Sequence, residues 1–182
     1  MNNVEINKQF RLSPHLTSSS VATLGHSSEL DGSRLSPHFT RGEMTKTQAK
    51  TADKNIPSHV YIENLKRLCG WLEMLRSEWN KRYGEGDDPI VINSGYRSEA
   101  VNKAVGGVSG SNHLTGCAAD IRVAGIEQLV RYATILLDIS DESQEDFDEL
   151  LLERSPKGGY WLHFAVRPTG NRRKVRLIQS RR

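Results

Sequence analysis

Cysteine is scarce in this chain, which contains only Cys69 and Cys117. Two cysteines so far apart imply no disulfide framework, so the fold must depend on a hydrophobic core. Cys69 lies in an amphipathic helical pattern and Cys117 beside two alanines. We therefore predict that both are small buried thiols, and that the chain suits a reducing compartment or is indifferent to redox conditions.

Long hydrophobic runs are also missing. Residues 1–33 are polar and rich in Ser, His and Asn, without the continuous apolar core of an export signal. No later run approaches the length of a membrane span. We therefore expect no signal peptide and no membrane span, with residues 1–33 as a disordered N-terminal extension and residues 34–182 as one folded domain.

Charge of one sign is not in excess, since the formal net charge is only +3. A general role in binding polyanions is not indicated, and we expect no nucleic-acid partner. Basic residues do cluster in residues 171–182, where the favoured interpretation is an edge strand with alternating charged positions and a frayed tail. Attraction to an anionic wall polymer or to nucleic acid is the alternative. The acidic stretch from Asp138 to Glu149 is predicted to be a solvated loop.

The spacing of apolar residues predicts helices in the first part of the chain and mostly strands in the later part. This order is typical of an α+β domain with a mainly antiparallel sheet and helices packed on one side of it. The predicted elements are a short helix opened by a capping box at Thr45–Gln48, a long helix over 59–83, a strand over 89–93, a short helix from Ser98 to Val105, a strand containing Asp120, a helix over 126–139, strands containing Glu153 and His163, and a last strand near 175–178.

Three polar side chains lie in segments that are otherwise apolar. These segments are predicted to be buried strands or the residues that lead into them. Asp120 follows Cys117-Ala118-Ala119, and His163 lies in the aromatic and aliphatic run from Tyr160 to Val166, while His113 precedes Asp120 by seven residues. A buried carboxylate is costly unless it is paired or bound to a metal. Two imidazoles and one carboxylate are the donors of a catalytic zinc ion with an open fourth position. The alternative is a pair of core histidines satisfied by backbone carbonyls.

Alternation along the strand around His163 decides which neighbours share its face. A period of two puts Trp161 and His163 on one face and Tyr160 on the other. We predict that the metal site lies on the sheet face that carries His163, in a groove open to an extended peptide.

Several ordered motifs together resemble one known family. The run from Ser111 to Asp120 reads Ser-x-His-x-x-Gly-x-Ala-x-Asp, and Trp161 to His163 reads Trp-x-His. With these motifs the chain resembles the zinc D-Ala-D-Ala carboxypeptidase family, which includes phage endolysins and shares its fold with the Hedgehog signalling domain. Further matching segments lie at residues 39–45, 93–98 and 101–107, so that the resemblance runs from about Phe39 to about Gln179.

The resemblance implies roles for particular residues in a zinc peptidase-like catalytic domain over 34–182. His113, Asp120 and His163 match the ligands of one zinc ion. Arg97 matches an arginine that binds the substrate carbonyl or stabilises the oxyanion through charge-assisted donors; without the resemblance, a structural arginine after a turn would be preferred. The residues expected to orient the ligands or to touch the substrate are Ser94, Ser111, Tyr160 and Trp161, although both serines also fit ordinary turns.

The general base is the point at which the chain departs from the family. Many members carry an acidic residue three places before the last histidine, and here that residue is Tyr160. Tyrosine is a poor base at neutral pH because its reference pKa is near ~10. The nearest substitute is Glu153. If odd positions pair with odd positions, Glu153 lies on the His163 face, whereas a register slipped by one residue turns it away.

The expected function is zinc-dependent hydrolysis of an amide bond in peptidoglycan stem peptides, by a D-Ala-D-Ala carboxypeptidase or an endolysin-type endopeptidase. The alternative is a non-catalytic, zinc-containing module that binds the cell wall, which the tyrosine at position 160 keeps open. We expect a monomer that acts on a peptidoglycan peptide. Without an export signal, the protein is expected to stay cytoplasmic until lysis or a holin releases it to the wall.

Overall fold

The computed structural model describes residues 32–179, which contain four α-helices, one 3-10 helix and five strands. Almost all of the predicted N-terminal extension lies outside the described residues. None of the helices within 32–179 combines the length and the apolar character that crossing a membrane requires. The elements are α1 (Arg41–Thr45), α2 (His59–Arg82), β1 (Ile92–Ser94), α3 (Glu99–Ala104), the 3-10 helix (Asn112–Thr115), β2 (Ala118–Arg122), α4 (Ile126–Ser143), β3 (Glu149–Arg154), β4 (Tyr160–Ala165) and β5 (Lys174–Gln179).

The five strands form one sheet in the order β1-β2-β4-β3-β5. The first three contacts across this sheet are antiparallel, while β5 runs parallel to β3. The predicted α+β class is confirmed, and the sheet is mixed rather than purely antiparallel. The reason lies in residues 166–173: β4 ends beside the start of β3, and this connection brings β5 to the other edge of β3 at the same end.

Helices α2 and α4 cover one face of the sheet, as predicted. Ile121, Leu162 and Phe164 point from the sheet into the buried core, where Trp71 of α2 packs against Phe164 with ring centroids 5.5 Å apart. Burying large apolar side chains of this kind stabilises the fold by roughly 1.5–3 kcal/mol each. Because alternate residues point the other way, the second face of β2 and β4 is left for polar side chains.

The predicted boundaries are confirmed for some elements and wrong for others. Ser98 caps α3 by accepting a hydrogen bond from the Val101 backbone N–H, as expected. Thr45, however, ends α1 instead of opening a helix, because the capping box is formed by Thr40 and Glu43. Both cysteines are buried thiols. The other differences are small: α2 ends at Arg82, β1 covers Ile92–Ser94, and α4 continues to Ser143.

The acidic stretch is not the solvated loop that the sequence predicts. Its first residues, 138–143, complete α4, and the Asp148 side chain is fully buried. Two nitrogens of Arg172 donate to the two Asp148 oxygens, each over 2.7 Å, and Asn112 Nδ2 donates over 2.8 Å. Burial opposes the charge of Asp148, but these bonds outweigh burial and lower its pKa below the ordinary value. Asp148 therefore stabilises the fold by binding Arg172 and Asn112 together.

The basic segment near the C-terminus forms the edge strand that was predicted. β5 lies at the end of the sheet, where it pairs with β3. Cations at its start and just before it have partners: Lys174 binds Glu149 over 2.7 Å, and Arg173 donates to the Ser140 hydroxyl and pairs with Asp141. These contacts bind the segment to the rest of the domain.

Replacing Asp148 by Asn is expected to destabilise the metal-free protein by about 2–3 kcal/mol at pH 7, because charge-assisted hydrogen bonds are lost. The pKa of Asp148 is lower in the folded chain than the value of about 3.9 expected after unfolding. Its stabilising effect is therefore complete above that value and is lost as the pH falls through the folded pKa. Urea unfolding of both proteins with a chelator at pH 7 and pH 3 should show a smaller difference at pH 3, and an equal difference would contradict this account.

Candidate metal centre

Three side chains converge on the sheet face that the helices leave open. His113 comes from the 3-10 helix, Asp120 from β2 and His163 from β4, where Asp120 and His163 are direct cross-strand partners. Asp120 Oδ1 lies 3.3 Å from His113 Nε2 and 3.0 Å from His163 Nδ1. One ligand atom from each residue lies within 4.8 Å of the others. The structure thus brings together all three residues that the sequence suggested as metal ligands.

His113 is oriented by a backbone carbonyl at its ring and by a serine hydroxyl at its backbone N–H. Its Nδ1 lies 2.6 Å from the Gly95 carbonyl oxygen, so that Nδ1–H donates there and Nε2 is left with a lone pair toward Asp120. Ser111 accepts a hydrogen bond from the His113 backbone N–H over 3.3 Å. A Cβ on Gly95 would lie 2.3 Å from the Met44 carbonyl oxygen, so only glycine permits this close approach of α1.

Asp120 uses its second oxygen to hold Arg97. Arg97 Nη2 donates to Asp120 Oδ2, and Arg97 Nε donates to Ser94 Oγ over 2.8 Å. Burial alone would raise the pKa of Asp120, but the two imidazoles bring it well below its usual range, so the side chain is a carboxylate. The structure therefore places Arg97 and Ser94 beside the cluster, as expected, and Ser111 at the start of the 3-10 helix.

His163 lies between two carboxylates. Its Nδ1 faces Asp120, and its Nε2 lies 3.6 Å from Glu149 Oε2. Burial opposes the charged ring, but Asp120 and Glu149 together raise the pKa of His163 to about 9. For His113, burial dominates and lowers the pKa, so that ring is neutral. Glu149 is a site residue that sequence reasoning missed.

The donor set fits a zinc ion. Two imidazole nitrogens and a carboxylate oxygen in a buried cluster are the three protein ligands of a catalytic zinc site, which leaves a fourth position for water or substrate. The alternative of core histidines satisfied by backbone carbonyls holds only for His113 Nδ1. The facing nitrogens of His113 and His163 both turn to Asp120, so the three groups could share one divalent cation.

The register of β3 against β4 decides the position of Glu153. Leu151 pairs with His163 and Glu153 with Trp161, so odd positions lie opposite odd positions. Glu153 and the half-buried Trp161 therefore lie on the same face as His163, two residues along the strands from the Leu151–His163 pair. Tyr160 lies on the opposite face, packed against the core. Tyr160 was expected beside the ligands, but strand alternation turns its side chain to the other face of the sheet.

A cavity of about 340 Å³ lies next to the cluster on the side of Arg97. Ser94 and Arg97 form the wall nearest the metal ligands, and Lys46 brings a second cation. Its lining combines polar and apolar side chains, as ligand sites commonly do. The remaining lining residues are Thr47, Gln48, Ala49, Asn93, Val101 and Val105.

Two comparisons with known proteins agree with this geometry. The family model described as peptidase M15 matches residues 37–138, a stretch that contains His113 and Asp120. The zinc D-Ala-D-Ala carboxypeptidase of Streptomyces albus G is 50% identical over 40 residues, which are 22% of this chain and 16% of that protein. The chain thus matches only a small part of that relative. Because the family model covers more than half of the 182 residues, the chain belongs to the peptidase M15 family.

Proposed function

We propose that this chain is a zinc-dependent peptidase that hydrolyses an amide bond in peptidoglycan stem peptides. Membership of the peptidase M15 family and the donor set of the cluster support zinc-dependent peptide hydrolysis. The observation that carries catalysis is the β3–β4 register, which adds the Glu153 carboxylate to the face of the metal cluster. A cluster with a carboxylate base on one side and a guanidinium on the other has the parts of a hydrolytic site.

Glu153 acts as the general base in this proposal. When bound, the zinc ion lowers the pKa of a water molecule to about 7 and polarises the scissile carbonyl. Glu153 takes the proton of the attacking water and then delivers it to the leaving amine, as a carboxylate on the same face can do. His113, Asp120 and His163 would hold the ion, so the substrate would lie over the open sheet face.

Arg97 stabilises the negative charge that develops on the substrate. Its guanidinium is fixed by Ser94 and Asp120, so its remaining N–H groups keep one orientation toward the cavity. Donors that are already in place when charge develops lower the barrier without reorganising. This role explains why an arginine is bound to a metal ligand at the edge of the cavity.

Of the two candidate activities, the cavity favours carboxypeptidase. Lys46 lines it next to Arg97, and this second cation suits the free carboxylate at the end of a short peptide, since Arg97 is assigned to the scissile carbonyl. The similarity to a relative named for D-Ala-D-Ala carboxypeptidase activity supports the same choice. The alternative of a non-catalytic wall-binding module rested on Tyr160, and Glu153 supplies the carboxylate that Tyr160 does not.

We further propose that the protein stays in the cytoplasm until lysis releases it to the wall.

Replacing Glu153 by Gln is expected to lower kcat by about 10²–10⁴-fold, because general-base assistance is lost while the shape of the side chain is kept. The zinc content should stay at one ion per chain, since Glu153 is not a proposed ligand. The matched control is Glu142→Gln on the exposed end of α4, which should retain the full rate. Zinc-loaded Glu153→Gln protein with an unchanged kcat would remove Glu153 from the mechanism.

Mass spectrometry of muropeptides tests activity and cleavage position together. Wild-type protein should shorten pentapeptide stems by one terminal alanine, and His113→Ala protein should release nothing because it loses a metal ligand. Cleavage of cross-links instead would show an endopeptidase. Intact muropeptides after incubation with zinc-loaded wild-type protein, together with retention on purified walls, would replace the enzyme with the binding module.

A further inference from the structure

The far side of the His163 ring presents a buried polar atom that the proposed metal site leaves unexplained. Among the described residues, His163 Nε2 has no partner within hydrogen-bond distance, although it is shielded from solvent. An unpaired buried nitrogen is costly, so a nearby acceptor is required. The carboxylate that faces it is Glu149, whose Oε2 lies 3.6 Å away.

Glu149 is placed there by the sheet and held there by several groups. It lies at the start of β3, two residues before Leu151, the cross-strand partner of His163, so its side chain points to the same face. Glu149 Oε1 accepts from Lys174 Nζ over 2.7 Å and pairs with Arg172 Nη2 at 3.0 Å. The two cations hold one oxygen of the carboxylate and leave Oε2 directed at the ring.

The same Glu149 oxygen also reaches the segment that carries the other imidazole. Asn112 Nδ2 donates to Glu149 Oε2 over 3.1 Å and to the buried Asp148 Oδ2 over 2.8 Å. Asn112 directly precedes His113 in the 3-10 helix. One carboxylate oxygen therefore connects the ring of His163 with the backbone that positions His113.

We propose that Glu149 is a positioning residue of the metal centre: its Oε2 accepts the Nε2–H of His163, which leaves the Nδ1 lone pair facing Asp120 and the zinc ion. A carboxylate behind a ligating histidine fixes the tautomer and the ring orientation and makes the ligand more basic. Through Asn112, Glu149 also fixes the position of the 3-10 helix relative to β4. This inference rests on the proposed ligand set of His113, Asp120 and His163.

Zinc affinity, measured by chelator competition on the full chain, is the test. Glu149→Ala is expected to weaken zinc binding by about 10–100-fold, the usual effect of removing such a partner. Glu149→Gln keeps an acceptor oxygen without the charge and should lose less. In the zinc-loaded wild-type protein, long-range ¹H–¹⁵N spectra should show a proton on His163 Nε2, and in Glu149→Ala protein the ring should lose this single tautomer.

Two matched variants separate positioning from general damage. Arg176→Met, at an exposed position on the same edge strand, leaves Glu149 and all its partners in place, so its zinc affinity should match that of wild type. Glu153→Gln, on the same face of β3, should lose activity and keep its zinc affinity. Circular dichroism of each metal-free variant monitors folding.

Three results would overturn the inference. The first is an unchanged zinc dissociation constant in Glu149→Ala protein while His163→Ala protein loses zinc, which leaves the ligand set and the proposed function intact. The second is equal weakening by Arg176→Met and Glu149→Ala with an unaltered His163 tautomer, which would show a purely structural role. If His163→Ala protein binds zinc as wild type does, the ligand set itself is wrong, and the inference is overturned with it.

Discussion

The pairing of Asp120 with His163 across β2 and β4 is the interaction on which the rest of the site depends. It brings a carboxylate and an imidazole to the same sheet face at 3.0 Å. Shifting this register by one residue would turn one of them into the core beneath α2 and α4. His113 then completes the cluster from a short 3-10 helix, whose position depends on the close approach of Gly95 and α1. The position of the metal centre is thus determined by strand pairing in the sheet and by the adjacent loops.

A network of charges behind the cluster connects the metal centre to the C-terminal segment. Asp148 is buried because Arg172 and Asn112 satisfy it, and Glu149 lies beside His163 with Lys174 and Arg172 on its other side. Charges buried in this way are costly unless every group is paired. The basic segment at the C-terminus, which was predicted as an edge strand with alternating charged positions, thus contributes Arg172 and Lys174 to this network.

The ligands and the main elements were predictable from the sequence because their signals are local. The apolar spacing of residues 59–82 determines a helix, and a histidine within an aromatic strand such as that of His163 calls for a partner wherever the strand lies. The role of Glu149 was not predictable, since it depends on pairing between β3 and β4 and on Asn112, which is distant in sequence. The parallel direction of β5 has the same cause, because alternation within a strand carries no information about direction. Alternation did assign Tyr160 to the opposite face.

The central claim is that His113 Nε2, Asp120 Oδ1 and His163 Nδ1 would hold one zinc ion on the sheet face that also carries Glu153. Anomalous diffraction at the zinc edge from crystals of the zinc-loaded protein measures this directly. The account predicts one strong anomalous peak within bonding distance of those three atoms, with a water molecule or substrate atom as the fourth ligand. A peak bound by other residues, or the three side chains turned away from one another with no zinc between them, would contradict it.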